Sequence, residues 1–152
     1  PALPESSDND YWINRPTPGM FDDCCNEFWW LSTYVAKGLL RNELPYANAH
    51  LDYMRNQLMT VLSWQVGLEK GFDFSIGKHF KYLERHVSDP TWQRLCATWN
   101  ASSPTACNQA LGRMLILFRE ASQDVAERFG YAYPDYDANV TRYLSQLGIA
   151  AN

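Results

Sequence analysis

Apolar residues recur at intervals of three and four along most of the chain, which is the period of one face of an α-helix. The first such stripe is apolar apart from one serine and consists of Phe21, Cys25, Phe28, Ser32, Val35 and Leu39. The same period predicts five or six helices, over about 21–40, 46–70, 78–87, 91–99, 105–129 and 136–147. The segments 46–70 and 105–129 are long enough to form the centre of a bundle.

Prolines and glycines separate these helical segments. Pro18 and Gly19 are expected to stop any helix before the first segment, and Gly130 ends the fifth. Residues 1–20 contain four prolines and predict an extended lead-in or interdomain linker. No convincing sheet pattern is present, so residues 21–152 are predicted to form an all-α bundle of five to six helices with two long antiparallel helices at its centre.

A second face of the first helix combines acids with aromatic rings. Asp23, Glu27, Trp30 and Tyr34 recur at helical spacing on this side. Carboxylates pair with positive charge, and flat rings cover the C–H faces of sugars and attract cations. The face therefore fits a cationic, sugar-like ligand. The alternative is that both rings are core for a second helix layer and that the acids only favour the helix N-terminus.

Two smaller groups of polar residues are also candidates for binding. Asp52 lies off the apolar stripe of the second helix, where a solvated surface is the alternative interpretation. Lys78 and Lys81 lie near the start of the predicted third helix, where cations oppose the helix dipole unless they hold an anion. They are candidates for a phosphate grip, and the alternative is two ordinary surface lysines.

Composition narrows the function classes. A length of 152 residues suits one domain, and a net charge of -4 with a pI near 5.3 argues against a nucleic-acid partner while fitting a cationic ligand. No apolar run approaches the roughly 20 residues that cross a bilayer, so no membrane partner is expected. Four cysteines without a CxxC pair predict free thiols in a reducing cytoplasm.

Motifs of a self-sufficient active site are missing from the sequence. The chain contains no Glu-x-x-His pair, no HExxH, no G-x-S-x-G elbow and no P-loop. No metal-ligand pattern and no catalytic residue is therefore predicted. The sequence has the character of a binding surface that lacks a reaction centre.

The stretch DDCCNEFWWLSTYVAKGLLR, residues 22–41, closely resembles the start of the C-terminal helical domain of the aminoglycoside 6-adenylyltransferases, which modify streptomycin. The likeness continues through four further blocks: DYWINRPTP (10–18), MRNQLMTVLSWQVG (54–67), FSIGKHFKYLERHVS (74–88) and FREASQDVAERFGYAYPDYDANVTRY (118–143). Leu40, Asn42 and Pro45 depart from the family pattern and leave the start of the second helix open.

This resemblance implies a two-domain enzyme of antibiotic resistance. Its N-terminal nucleotidyltransferase domain, with a Gly-Ser motif and metal-binding aspartates, would transfer AMP from Mg-ATP to the 6-hydroxyl of streptomycin. That domain is absent from residues 1–152, and the first residue is not methionine, so the chain is expected to be a fragment without activity of its own. ATP and Mg are cofactors of the full-length enzyme, and the metal ligands are not expected in this chain.

The resemblance also implies roles for individual residues. Asp23 and Glu27 would pair with guanidinium or ammonium groups of the aminoglycoside, and Trp30 and Tyr34 would pack on its rings. Asp52 is a further candidate on the side of the drug. Lys78 would contact the phosphates of ATP, and Lys81 and Tyr82 would lie behind it. The alternative function is a stand-alone helical bundle that binds aminoglycosides or another protein without catalysis.

The surface that packs against the catalytic domain would be apolar and would be exposed when that domain is absent. This predicts that the chain associates with itself, for example as a homodimer. Sedimentation across a wide range of concentration measures this directly. A monomer at every concentration would contradict the expectation.

Overall fold

Five α-helices form the fold within residues 1–150, which are the residues that this computed structural model describes. They are α1 (Pro18–Leu40), α2 (Leu44–Lys70), α3 (Asp89–Ala97), α4 (Pro104–Phe129) and α5 (Tyr136–Gln146). Short 3-10 turns occupy Asn9–Tyr11, Lys78–Phe80 and Leu83–Arg85. The predicted all-α bundle is confirmed, while residues 151–152 of the predicted domain lie outside the described part.

The start of α1 differs from the sequence prediction. Pro18 and Gly19, expected to end the lead-in, form the first turn of the helix, and the hydroxyl of Thr17 accepts a hydrogen bond from the backbone N–H of Met20 at 3.1 Å. Proline is well suited to the first helical position because its missing N–H would have no helical partner there. Residues 18–20 therefore belong to the bundle.

Helices α1 and α2 form an antiparallel pair joined by a short turn. The ring of Phe21, near the start of α1, lies 6.3 Å from that of Trp64, near the end of α2. At the opposite end, Gly38 lies against Ala47 so closely that a Cβ on the glycine would be 3.0 Å from the Cβ of Ala47. The antiparallel pair at the centre of the bundle is thus α1 with α2.

Helix α4 is a third long helix, and it runs in the same direction as α2. The amide of Gln65 donates to Asp124 at 2.7 Å, and one turn later Arg128 lies 3.8 Å from Glu69. In both contacts the residue of α4 follows its partner in α2 by the same number of positions in the sequence. The two helices therefore run in the same direction. The long helices predicted over 46–70 and 105–129 are therefore parallel to each other, and α1 supplies the antiparallel partner of α2.

Aromatic stacking joins α4 to α1, and an ion pair joins α5 to α4. The rings of Phe28 and Phe118 are stacked at 3.6 Å, and Trp29 meets Phe118 edge-on at 5.9 Å, which joins α1 to α4. Asp137 of α5 is buried and accepts two hydrogen bonds of 2.7 Å from Arg119. Because this carboxylate is hydrogen-bonded to the guanidinium, the pKa of Arg119 is raised.

The helix predicted over 78–87 is wrong. The segment instead forms two 3-10 turns, and Gly77, His79 and Phe80 have positive φ angles of 81°, 55° and 59°. A continuous α-helix requires negative φ at each residue, so these backbone conformations interrupt it. The fully buried side chain of Leu83 fixes the second turn to the core.

The lead-in is joined by backbone hydrogen bonds to the stretch 72–76, which precedes this segment. The N–H of Ile13 donates to Phe74 at 3.2 Å, and the N–H of Ile76 donates to Tyr11 at 3.3 Å. The alternating stretch 72–76 thus forms an isolated bridge with the lead-in.

Two glycines inside long helices offer a matched test of the packing. A Cβ at Gly67 would overlap the ring of Phe72, whereas the atoms nearest to a Cβ at Gly112 are 3.9 Å away. We expect Gly67→Ala to lower the free energy of unfolding by about 1–3 kcal/mol and Gly112→Ala to raise it by about 0.5–1 kcal/mol. Urea denaturation measures both. A stabilised Gly67→Ala would contradict the packing described.

Candidate functional site

A groove of about 420 Å³ lies between α1 and α2 and contains both acids that were predicted to bind ligand. Asp23 and Glu27 are exposed on its α1 side. The other residues that line it are Met20, Cys24, Gln57, Thr60 and Trp64. The groove brings two carboxylates of α1 to the side of the Trp64 indole of α2, whereas the sequence prediction had paired the acids with Trp30 and Tyr34.

The groove arises because each helix presents one polar stripe along the same seam. Residues spaced by three and four lie on one helical face. On α1 the stripe contains the predicted acids and aromatics, and on α2 it consists of His50, Tyr53, Gln57, Thr60 and Trp64. The antiparallel register places these stripes side by side. Sequence reasoning missed the α2 stripe, although its spacing of three and four was a visible signal.

Trp30 and Tyr34 lie further along the seam, outside the groove. The indole N–H of Trp30 is 3.2 Å from the Tyr34 hydroxyl, and the Tyr34 ring is stacked at 5.2 Å on the ring of His50. Trp30 is 56% exposed, so it does not serve as core for a second helix layer. The structure therefore divides the predicted binding face into an acidic groove and a neighbouring aromatic cluster.

Asp52 is not brought together with these residues. It precedes Tyr53 by one position, which turns its side chain by about 100° around α2. Its carboxylate pairs with the buried Arg55, whose guanidinium also donates to the hydroxyl and carbonyl oxygens of Thr98 at 2.8 Å and 2.7 Å. Burial lowers the pKa of Arg55, and Asp52 opposes this by favouring the charged form.

A second groove of about 330 Å³ adjoins the first. The two share three lining residues, Met20, Thr60 and Trp64. The remaining walls of the second groove come from the lead-in, from α2 and from the segment after α2, and consist of residues 10–14, Ser63, Ile76, Gly77, His79 and Phe80. The acidic groove therefore continues towards the segment that carries the predicted phosphate-binding cations.

Lys78 is exposed between Gly77 and His79, both of which line the second groove. Lys81 and Tyr82 pack on each other instead, with the ammonium group 4.9 Å from the centre of the phenol ring. A Cβ at Gly77 would lie 2.7 Å from atoms of both, so glycine permits this arrangement. Of the three predicted residues, Lys78 is thus next in sequence to two residues of the groove, and the other two pair with each other.

A larger cleft of about 680 Å³ between α4 and α5 contains Arg119, Tyr133 and Asp137. The carboxylate of Asp137 already accepts hydrogen bonds from Arg119, Tyr133 and Thr141. This network joins α4 to α5, and hydrogen bonds from the chain itself occupy the acceptor positions of the Asp137 carboxylate.

Within residues 1–150, no group of three or more His, Cys, Asp or Glu side chains is placed to hold a metal ion. None of the helices in that range is both long enough and apolar enough to cross a membrane.

The architecture and the seam define an all-α bundle with an acid-lined groove between its first two helices. A family model described as streptomycin adenylyltransferase matches residues 1–147. The chain belongs to the streptomycin adenylyltransferase family.

Individual relatives agree with this assignment. The chain is 43% identical over 142 residues to an aminoglycoside 6-adenylyltransferase of Bacillus subtilis and 42% identical over 145 residues to one of Campylobacter jejuni, which cover 93% and 95% of it. The crystal structure of an aminoglycoside 6-adenyltransferase from Bacillus subtilis superimposes with a TM-score of 0.86 at 40% identity, over 97% of this chain and 56% of that one. The chain spans about half the length of the curated relatives it matches.

The cysteines provide a test of whether the groove contains a reactive thiol. Cys24 lines the groove but is buried, and burial is the main cause of its raised pKa; burial likewise raises the pKa of the neighbouring Cys25 to about 12. We expect a thiol reagent at pH 8 to label exposed Cys96 and spare Cys24, Cys25 and Cys107 until the chain unfolds. Mass spectrometry of Cys96→Ser should show no label in the folded state. Labelling of Cys24 there would contradict the burial described.

Proposed function

We propose that this chain is the helical substrate-binding domain of an aminoglycoside nucleotidyltransferase, the C-terminal half of an enzyme that transfers AMP from Mg-ATP to a hydroxyl of streptomycin. The observation that carries the proposal is the α1–α2 groove, where Asp23 and Glu27 lie beside Trp64. The relatives described above, each named as an aminoglycoside 6-adenylyltransferase, support the class of reaction.

The acidic groove suits the charge of such a ligand. Aminoglycosides carry ammonium or guanidinium groups, and a guanidinium forms paired hydrogen bonds with a carboxylate. Asp23 and Glu27 are one helical turn apart, so their carboxylates present two acceptors along the same wall. These residues would hold and orient the cation, which places the rest of the ligand along the seam.

The aromatic cluster extends this binding surface. Trp30 and Tyr34 follow the acids on α1, at a distance of about 4.5 Å along the helix from Glu27 to Trp30. The exposed face of Trp30 offers apolar surface to the C–H groups of a sugar ring. The interaction of Trp30 with Tyr34 holds both rings in place. Asp52 pairs with Arg55 away from both grooves and makes no contact with the ligand in this proposal.

Lys78 is proposed to contact the phosphates of the nucleotide, with Lys81 and Tyr82 as its support. Lys78 is exposed and stands between Gly77 and His79, which line the second groove, and this groove shares Met20, Thr60 and Trp64 with the acidic groove. A cation at this end would bind an anionic group of one substrate while the acids bind the cationic groups of the other. This chain would therefore hold the two substrates side by side.

The described residues do not fit a catalytic metal, since no cluster of suitable ligands lies in residues 1–150. Magnesium chemistry is accordingly assigned to the other half of the enzyme, and the chain alone is expected to be inactive.

Calorimetric titration with streptomycin tests the proposal. We expect binding that weakens as salt increases, because the contacts are between exposed charges. Glu27→Gln should raise the Kd by roughly fivefold, which corresponds to about 1 kcal/mol for one ion pair.

Glu127→Gln is the matched control, because it removes the same charge from an exposed position on α4 that lines neither groove. It should leave the Kd nearly unchanged. Equal effects of both variants would indicate a general influence of net charge, and an absence of binding at millimolar streptomycin would contradict a drug site on this domain.

A further inference from the structure

Trp64 is the residue at which the two grooves meet. Its side chain lines both of them, yet the residue is only 5% exposed. The ring is held from behind by Phe21, whose own ring is 6.3 Å away and 1% exposed. Trp64 is therefore a fixed part of the groove floor, and its side chain is already ordered before a ligand binds.

The indole N–H of Trp64 has no hydrogen-bond partner within residues 1–150. It also retains contact with solvent, in contrast to the N–H of Trp29, which is enclosed without a partner. The side chain of Trp64 lines both grooves, so a ligand at their junction would lie against it. A buried indole usually satisfies its N–H with an acceptor, and here the position of that acceptor is free.

The neighbouring hydroxyl groups have the opposite hydrogen-bonding character. Thr60 donates its proton to the carbonyl of Asn56 at 2.9 Å, and Ser63 donates to the carbonyl of Thr60 at 2.6 Å. Both hydroxyls thus offer only oxygen lone pairs to a ligand, whereas Trp64 offers a proton. The junction therefore combines a rigid donor with acceptors from the same helix.

We propose that Trp64 is a specificity-determining residue whose indole N–H donates a hydrogen bond to a hydroxyl or ether oxygen of a polyhydroxylated cation bound to Asp23 and Glu27. This inference rests on the proposed function and adds a requirement for oxygen next to positive charge in the ligand. The carboxylates attract any polyamine, but a polyamine without oxygen offers no acceptor to the indole N–H and gains nothing from it. Discrimination between these two ligand classes then depends on Trp64.

The experiment compares streptomycin, which carries hydroxyl groups, with spermidine, which is a cation without oxygen. Trp64→Phe keeps an aromatic ring in the floor and removes the N–H. We expect this variant to bind streptomycin about three- to tenfold more weakly, the usual effect of losing one hydrogen bond between neutral groups. Its affinity for spermidine should not change. Trp92→Phe, which changes a half-buried tryptophan of α3 outside both grooves, is the matched control.

A measurement on the unaltered chain avoids dependence on the stability of the variant. Each of the six tryptophans gives one indole resonance in a ¹H–¹⁵N spectrum, and sequential assignment of the unaltered chain identifies the one that belongs to Trp64. Streptomycin should shift the Trp64 resonance to saturation, and spermidine should shift it much less. The Trp92 resonance should stay in place with both ligands.

A Trp64 resonance that stays in place at saturating streptomycin would overturn the inference, as would equal losses of affinity for both ligands in Trp64→Phe. Either result leaves the proposed function standing, because streptomycin still binds. If the unaltered chain does not bind streptomycin at all, the proposed function fails and the role of Trp64 fails with it.

Discussion

The close approach of α1 and α2 at Gly38 and Ala47 is the constraint on which the other features depend. A side chain larger than hydrogen at Gly38 would press on Ala47, and the backbone N–H of Glu43 donates to the carbonyl of Gly38 at 2.8 Å to close the turn. Asn42 accommodates this turn with a φ of 57°, a conformation that asparagine tolerates better than most residues. Because the turn is short and the contact is tight, the register of the two helices is fixed along their whole length, and the acids of α1 face the polar stripe of α2.

The helices could be predicted from the sequence because their apolar period is long and regular, and the structure differs mainly where local signals were ambiguous. Pro18 was interpreted as a stop, although proline also suits the first helical position, and the capping hydroxyl of Thr17 decides between the two. The segment 78–87 has helical composition, but its backbone is set by bonds to the rest of the fold. The N–H of Tyr82 donates to the carbonyl of Ile76 at 3.0 Å, which a helix beginning at Lys78 could not provide.

The candidate site could be predicted only in part, for a related reason. The acids and aromatics of α1 share one face, and local spacing is sufficient to reveal this. The contribution of α2 depends on which residues the neighbouring helix places opposite α1, and that information is tertiary. Asp52 and Trp64 illustrate the difference: the acid is held by Arg55 away from the groove, while the tryptophan, part of a stripe with mixed polarity, reaches the point where the grooves join.

The two grooves differ in how they are held. The acidic groove is set by the packing of α1 on α2. The second groove is coupled by the bridge at Trp12 and Ser75 to the chain that precedes α1, and the hydroxyl of Tyr131 anchors that chain by donating to the carbonyl of Pro16 at 2.7 Å. A displacement of the residues before the bridge would therefore strain the segment that carries Gly77 first, because Trp12 is paired with Ser75 and Pro16 is held by Tyr131.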